Sequence, residues 1–319
     1  MTNSLAEKFD NYGYCIGNPV LNKNKISELR FKLEQEFKLK SFPKVLDLFE
    51  LEDKRLINSI LEIYSSSALN SFISELSGFY KEEIYFVPKF IIQRNYHVDR
   101  LFSPRVGWHR DCGEEFKLDY CKKKLATSSY VFGKLGIYLQ ENSEYGGSID
   151  VIPSSHTRIK KNNILMRKIK EFGLYLIAGL QKNFIFLYKL IPEKLFKKIL
   201  NGKSLHPDPG CFVLFDSRII HRGTPISDKV RKEVNFSSQN YSAELHDKNK
   251  TKYSFYVDLA NKTGFDNFIY ERSRRFDSNQ GKITAEDCLK AIKKIKTFSP
   301  MISAKIEKIF LETIKYHNR

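Results

Sequence analysis

The spacing of the apolar residues changes near residue 80, and this change constrains the fold more than any other feature. Residues 26–37 and 54–77 carry apolar side chains at steps of three and four positions. Such spacing predicts helices with one apolar face. From residue 84 onward the apolar runs are short, and Gly, Pro and Asn-Ser clusters separate them, which predicts strands. We therefore expect residues 1–80 to be mostly helical and the centre of the chain to be β-structure.

The strand-like runs follow one another without regular helices between most of them. They are residues 84–86, 89–93, 130–140, 148–152, 211–215 and 233–238. This order predicts an antiparallel sandwich or barrel rather than a parallel sheet. Hydrophobic residues make up 41% of the 319 residues and aromatic residues 13%, which is enough apolar surface for a sizeable core.

Two further segments have a helical pattern. Residues 157–205 combine many Lys with Ile, Leu and Phe, and we interpret them as a basic helical insertion. The pattern of residues 259–319 predicts C-terminal helices, most clearly over 284–296 and 301–316. The chain shows neither an internal repeat nor a low-complexity linker. We therefore expect one domain over residues 1–319, with N-terminal helices and a β core over residues 84–258.

Residues Trp108-His109-Arg110-Asp111 contain the first half of a candidate metal site. In a strand, residues i and i+2 face the same side, so His109 and Asp111 would present an imidazole and a carboxylate together. With a distant His they would form the 2-His-1-carboxylate triad of non-haem iron oxygenases, which leaves three iron positions open. Those positions suit a chelating keto acid and O₂. Because the chain has seven His, this tripeptide needs partners before it indicates a metal site.

The segment that follows the apolar run 211–216 supplies the partners. The run leads to His221, Gly223 and Pro225 indicate a turn, and Arg231 precedes the next strand-like run. A hairpin of this kind would bring the Arg231 guanidinium near the metal-binding His. A guanidinium binds a carboxylate through two hydrogen bonds, and here that would be the distal carboxylate of 2-oxoglutarate.

Four segments together resemble the phytanoyl-CoA dioxygenase family of Fe(II)/2-oxoglutarate-dependent oxygenases. They are the aromatic opening at residues 9–14, W-H-R-D at 108–111, G-G-S-I-D-V-I-P-S-S-H at 146–156, and H-R-G-T-P at 221–225 with Arg231 after it. The resemblance covers about residues 9–240. Ser154 stands where the family commonly has Gly, and Ile226 stands where it often has Asn.

The resemblance implies a double-stranded β-helix, or jelly roll, with Fe(II) bound at one mouth by His109, Asp111 and His221. It implies 2-oxoglutarate as co-substrate, O₂ as oxidant, and hydroxylation of an unactivated C–H bond with release of succinate and CO₂. The carboxylate of Asp111 argues against a halogenase, in which a small residue takes that place. Thr224 would hydrogen-bond the distal carboxylate beside Arg231.

Gln93 and Arg94 lie on the strand-like run before His109. In related enzymes this strand supplies polar groups to the site, so we predict Arg94 as a ligand of the keto acid and Gln93 as a substrate ligand. Strand alternation allows only one of the two to face inward. We expect Trp108 to pack in the core and His156 to have a structural role.

The excess of basic residues predicts an anionic partner. The net charge is +17, and residues 158–203 hold twelve Lys or Arg against two Glu. This segment could lie on an anionic membrane as a basic amphipathic element, or it could pack over the barrel as a lid. Either would suit a small organic or lipid-linked substrate, carrying a sugar or an acyl chain. A nucleic-acid partner ranks lower, because the basic residues interleave with aliphatic rather than aromatic ones.

Two other functions stay open at this point. One is a non-catalytic jelly-roll protein that the insertion recruits to anionic membranes, and the other, ranked lower, is a nucleic-acid demethylase. The five Cys are scattered and form no C-x-x-C pair, which argues against a disulfide scaffold and against structural zinc. Residues 1–10 lack the apolar segment of a signal peptide. We therefore expect a cytoplasmic protein, at most peripheral on the inner face of a membrane.

Overall fold

The computed structural model describes residues 3–41, 45–95, 108–111, 131–141, 148–156, 201–224 and 252–262, with isolated positions at 172, 198, 264, 290, 292–294 and 296–297. The N-terminal part holds four helices: α1 (Leu5–Tyr12), α2 (Lys23–Leu39), α3 (Lys54–Tyr64) and α4 (Ser67–Tyr80). The strands are β1 (Tyr14–Pro19), β2 (Val45–Asp47), β3 (Tyr85–Asn95), β4 (Phe132–Tyr138), β5 (Ile149–Val151), β6 (Lys203–Leu205), β7 (Cys211–Asp216), β8 (His221–Gly223) and β9 (Lys252–Ala260).

Capping residues set the ends of the helices. The Ser4 hydroxyl accepts a hydrogen bond from the backbone N–H of Glu7 at the start of α1, and Gly13 ends that helix with a φ of 78°. The apolar pattern over residues 54–77 proves to be two helices. Ser66 adopts extended backbone between α3 and α4, and its side chain caps α4. The helix predicted over residues 26–37 is confirmed as α2.

The strands form two antiparallel sheets. The larger has the order β1-β7-β4-β9-β3-β2, and the smaller has the order β6-β5-β8. A bridge between His109 and His221 extends the smaller sheet beyond β8. From β3 onward the described chain visits the larger sheet at β3, β4, β7 and β9 and the smaller sheet at 108–111, β5, β6 and β8. Successive described strands therefore alternate between the sheets, except that β5 and β6 both lie in the smaller one. This alternation is the double-stranded β-helix that the sequence predicted.

The larger sheet is buried on both faces. On one face, Leu135 and Ile137 of β4 join the apolar core that the N-terminal helices cover. On the other face, Tyr138 packs with residues of the smaller sheet such as Val151. Side chains alternate between these two faces along each strand, so Lys134, Gly136 and Tyr138 share the inner face between the sheets.

Residues 1–80 are mostly helical, as predicted, and they also include the strands β1 and β2 of the larger sheet. Two other predicted boundaries differ from the structure. Residues 203–205, which the predicted helical insertion included, form the strand β6 and pair with β5. The C-terminal helices do not begin at residue 259, since β9 continues to Ala260.

Other predictions fall partly or wholly outside the described residues. Positions 172 and 198 of the insertion are helical, as are 290, 292–294 and 296–297 near the C-terminus. The run 233–238 lies outside the described residues. Among the described helices, none combines the length and apolarity that crossing a bilayer requires.

Candidate metal centre

His109, Asp111 and His221 come together as the sequence predicted. One ligand atom from each lies within 4.8 Å of the other two. Oδ1 of Asp111 is 3.6 Å from Nε2 of His109 and 3.6 Å from Nε2 of His221. The side chain of His109 is 39% exposed and that of His221 is 7% exposed, so the cluster is open on the His109 side.

Backbone hydrogen bonds position all three residues. His109 and His221 form an antiparallel bridge, which makes their side chains neighbours. The backbone N–H of Asp111 donates to the carbonyl of Ser217 at 3.0 Å. The short segment 108–111 is thus held against the turn and strand that carry His221.

His221 has the tautomer that metal binding requires. Its Nδ1 lies 3.0 Å from the carbonyl oxygen of Ile219. A carbonyl only accepts hydrogen bonds, so Nδ1 carries the proton and the lone pair of Nε2 faces Asp111. Burial lowers the pKa of His221 to about 4, although the charge of Asp111 opposes the shift. The imidazole is therefore neutral at neutral pH, which is the form that binds metal ions.

Asp111 is ionised and fixed by Lys134. Nζ of Lys134 lies 2.9 Å from Oδ2 of Asp111. Burial alone would raise the pKa of the Asp111 carboxyl, but Lys134, and then His221 and His109, hold that pKa well below its usual range. Lys134 was not identified from the sequence. The available signal was one Lys in the otherwise apolar strand β4.

This donor set fits a non-haem Fe(II) ion. Two imidazole nitrogens and one carboxylate oxygen lie close together, which is the 2-His-1-carboxylate arrangement that leaves the other metal positions open. The described cysteines, Cys15 and Cys211, are not part of the cluster. These side chains therefore do not form a thiolate-rich site of the kind that binds structural zinc.

The structure places Thr224 away from the triad, in contrast to its predicted contact with 2-oxoglutarate. Its hydroxyl donates to Oδ1 of Asp150 at 3.2 Å, and the guanidinium of Arg222 contacts Oδ2 of Asp150 at 3.0 Å. Asp150 pairs with Arg222 across β5 and β8, while the next pair, Val151 with His221, faces the inner core. Thr224 therefore joins a buried polar network on the outer face of the smaller sheet, away from the triad.

The structure also places Arg94 away from the triad, although it was predicted as a ligand of the keto acid. The Arg94 side chain is fully buried, with Nε 3.2 Å from the hydroxyl oxygen of Tyr253 and an amino nitrogen 3.3 Å from Glu34 of α2. These partners belong to the helix-covered face of the larger sheet. Its neighbour Gln93 pairs with Ser254, which lies opposite Tyr138 on the inner face. Of the two, Gln93 is thus the residue on the side of the triad, and its role stays a prediction.

Three predicted residues remain, namely Trp108, His156 and Arg231. Trp108 is 1% exposed beside the triad, and the Arg222 guanidinium lies 4.7 Å from its ring centroid. His156 is structural, because its Nε2 lies 2.9 Å from the carbonyl oxygen of Asp10. Arg231 lies outside the described residues, so its contact with 2-oxoglutarate stays a prediction.

Comparisons with known proteins matched this chain to solved structures but to no protein family. No family model and no curated protein matches the chain, so the resemblance to the phytanoyl-CoA dioxygenase family stays a prediction. Solved structures similar to this chain include the non-heme alpha-ketoglutarate-dependent carbocyclase SnoK from nogalamycin biosynthesis. The two share 12% identity over 82% of this chain and 85% of SnoK, with a TM-score of 0.45.

Two further structures have similar scores. The epimerase SnoN, also non-heme and alpha-ketoglutarate-dependent, has 10% identity, covers 81% of this chain and 80% of its own, and has a TM-score of 0.44. EctD from S. alaskensis, solved with 2-oxoglutarate and 5-hydroxyectoine, has 10% identity, coverage of 83% and 77%, and a TM-score of 0.45. These TM-scores lie below 0.5, so the chemistry of this chain is inferred from its own side chains.

Proposed function

We propose that this protein is an Fe(II)/2-oxoglutarate-dependent hydroxylase. The observation that carries the proposal is the position of one Asp111 oxygen between the Nε2 atoms of His109 and His221, at 3.6 Å from each. Bound Fe(II) would supply the oxidative chemistry, in which O₂ converts 2-oxoglutarate to succinate and CO₂ and a substrate C–H bond to C–OH. The triad leaves three positions for the keto acid and O₂.

The chain itself would bind and orient the reactants. His221 presents a lone pair because Ile219 holds its other nitrogen protonated. The inner face that extends from Lys134 toward Tyr138 and Tyr256 combines packed apolar side chains with two phenol hydroxyls 3.5 Å apart. We propose that the keto acid binds beside the triad on this face and that Arg231 binds its distal carboxylate.

The test is succinate formation by the full chain with Fe(II), 2-oxoglutarate and O₂. Many such enzymes turn over the keto acid slowly without their substrate, so the assay does not require the substrate's identity. We expect His109→Ala to abolish succinate formation and Fe(II) binding together. The matched control is His206→Ala, because His206 is an exposed His outside the triad. Succinate formation at equal rates in both variants would refute the proposal.

We propose a small organic or lipid-linked substrate, and peripheral contact of residues 158–203 with anionic membranes. The support is the high density of basic residues in that segment, twelve Lys or Arg against two Glu. The test is flotation of the full chain with vesicles of anionic or neutral lipid. Binding that is limited to anionic vesicles and weakened by salt would support the contact. Absence of binding to both kinds of vesicle would exclude it. Steep salt-dependent binding to an oligonucleotide instead would favour the nucleic-acid alternative.

A further inference from the structure

We propose that Lys134 is a positioning residue that restricts Asp111 to binding the metal through a single oxygen. The inference rests on the proposed function and names a residue outside the predicted site. Lys134 contacts Oδ2 of Asp111 at 2.9 Å, while Oδ1 is the oxygen near both histidines. The two oxygens of one carboxylate therefore have different partners.

The division of the two oxygens has a direct chemical consequence. A free carboxylate can bind a metal ion through one oxygen or through both. If Asp111 used both, the triad would occupy four positions of an octahedral ion, and only two would be left. A keto acid that chelates through two atoms, followed by O₂, needs three. A charge-assisted hydrogen bond from Lys134 to Oδ2 keeps that oxygen away from the metal.

The position of Lys134 is well suited to this role. It lies on β4, which is flanked by β7 and β9 inside the larger sheet, so its backbone is held on both sides. In register it stands opposite Phe215 on β7 and Asp258 on β9. Its side chain is only 28% exposed, which strengthens the contact with Asp111 relative to an ion pair in water.

Lys134 could affect metal affinity in two opposite ways, through its charge or through the orientation of Asp111. An ammonium group close to a divalent cation repels it, so removing the charge of Lys134 would by itself tighten metal binding. If Lys134 mainly orients Asp111, its removal would instead weaken metal binding, because partners that orient metal ligands are worth roughly 10- to 100-fold in affinity. The sign of the change thus separates the two roles.

The experiment is anaerobic Co(II) titration of the full chain, followed by Fe(II) with 2-oxoglutarate. We expect Lys134→Met to bind Co(II) at least ~10-fold more weakly and to lose most of the Fe(II)-to-keto-acid charge-transfer band. Lys134→Arg keeps the charge and the donor, and it should restore most of both signals. The control is Lys32→Met, which removes a partly exposed Lys that lies 2.8 Å from Glu28 on α2 and outside the triad, and it should leave both signals unchanged.

A second comparison shows whether Lys134 acts through Asp111. In an Asp111→Ala background, Lys134→Met should no longer weaken Co(II) binding, because the group that it positions is absent. The folding of every protein in this cycle is checked by circular dichroism, because the coupling is defined only when both single variants are folded. Equal or tighter Co(II) binding by a folded Lys134→Met would overturn the inference while leaving the proposed function intact. Failure of the unmodified chain to bind Co(II) or Fe(II) would overturn both.

Discussion

The backbones of His109 and His221 are joined by two reciprocal hydrogen bonds, each 2.9 Å from nitrogen to oxygen. In an antiparallel ladder such a pair places two side chains next to each other on one face. The two imidazole ring centroids are accordingly 4.4 Å apart. The separation of the two nitrogen ligands is therefore set by main-chain bonds, which do not depend on the imidazoles or on a bound metal.

This relationship predicts that the His109 side chain can be removed without loss of the fold. We expect His109→Ala to change the free energy of unfolding by less than ~1 kcal/mol, because the side chain is 39% exposed and the bridge is made by backbone atoms. His221→Ala should cost more, roughly 1–3 kcal/mol, since His221 is buried with its ring centroid 4.8 Å from that of Phe215.

Urea unfolding of the metal-free variants measures both changes. An equal loss in the two variants would contradict the assignment of the bridge to the main chain. His109→Ala is for this reason the better variant for activity assays, because a folded but metal-deficient protein separates loss of chemistry from loss of structure.

His221 also predicts how the stability of the metal-free protein depends on pH. Its pKa is about 4 in the folded chain and near 6.5 when unfolded, so between these values the unfolded state binds more protons. The free energy of unfolding then rises with pH in this window, and the contribution is complete above pH ~6.5. As the pH falls from 6.5 to 4, we expect a loss on the order of 3 kcal/mol from this group.

The measurement is urea unfolding at several pH values between 4 and 7.5, for the unmodified chain and for His221→Gln. The glutamine variant does not titrate at this position, so its curve should fall less steeply over the same window. His156 also has a lowered pKa through burial, and it contributes equally to both curves. Parallel curves for the two proteins would show that His221 is not held neutral.

The residues of the metal centre show which contacts a sequence pattern can predict and which it cannot. His109 and Asp111 were found because two-residue alternation within a strand is a local property. The contact between Lys134 and Asp111 depends on which strands become neighbours, and sequence spacing does not encode that. Alternation likewise predicted that only one of Gln93 and Arg94 faces inward, but not which one.

The strand β9 was missed although its sequence carries the signal. Tyr253, Phe255, Val257 and Leu259 alternate with other residues and all pack toward the helices. A strand after His221 was expected at residues 233–238, because a short hairpin is the commoner connection, and that segment lies outside the described residues. The predicted strands ended at that run and left out the alternation at residues 253–259.

The corrected position of Arg94 leads to a third prediction. Arg94 is fully buried between Tyr253 and Glu34, and the Tyr253 hydroxyl also donates to Glu34. Arg94→Met should reduce the free energy of unfolding by about 3–5 kcal/mol, because it leaves a largely buried carboxylate without this cation. Among molecules that remain folded, the KM for 2-oxoglutarate should not change, since Arg94 faces the helices.

The stability loss is measured by urea unfolding and the KM by succinate formation at low temperature. Lys32→Met is the matched control, because it breaks an exposed ion pair and should cost less than about 1 kcal/mol. A raised KM without a change in stability would restore Arg94 to the keto-acid site.

Two glycines give a matched pair of opposite predictions for stability. A Cβ at Gly17 of β1 would overlap the ring of Phe212, which is 1% exposed and has its ring centroid 4.9 Å from that of Phe72. Gly17→Ala would displace a core ring and should cost about 1–3 kcal/mol. A Cβ at Gly78 of α4 would meet nothing within 4 Å, so Gly78→Ala should gain roughly 0.5–1 kcal/mol from helix propensity. Urea midpoints that move in opposite directions are the expected result, and a loss of stability in both variants would contradict the open surroundings of Gly78.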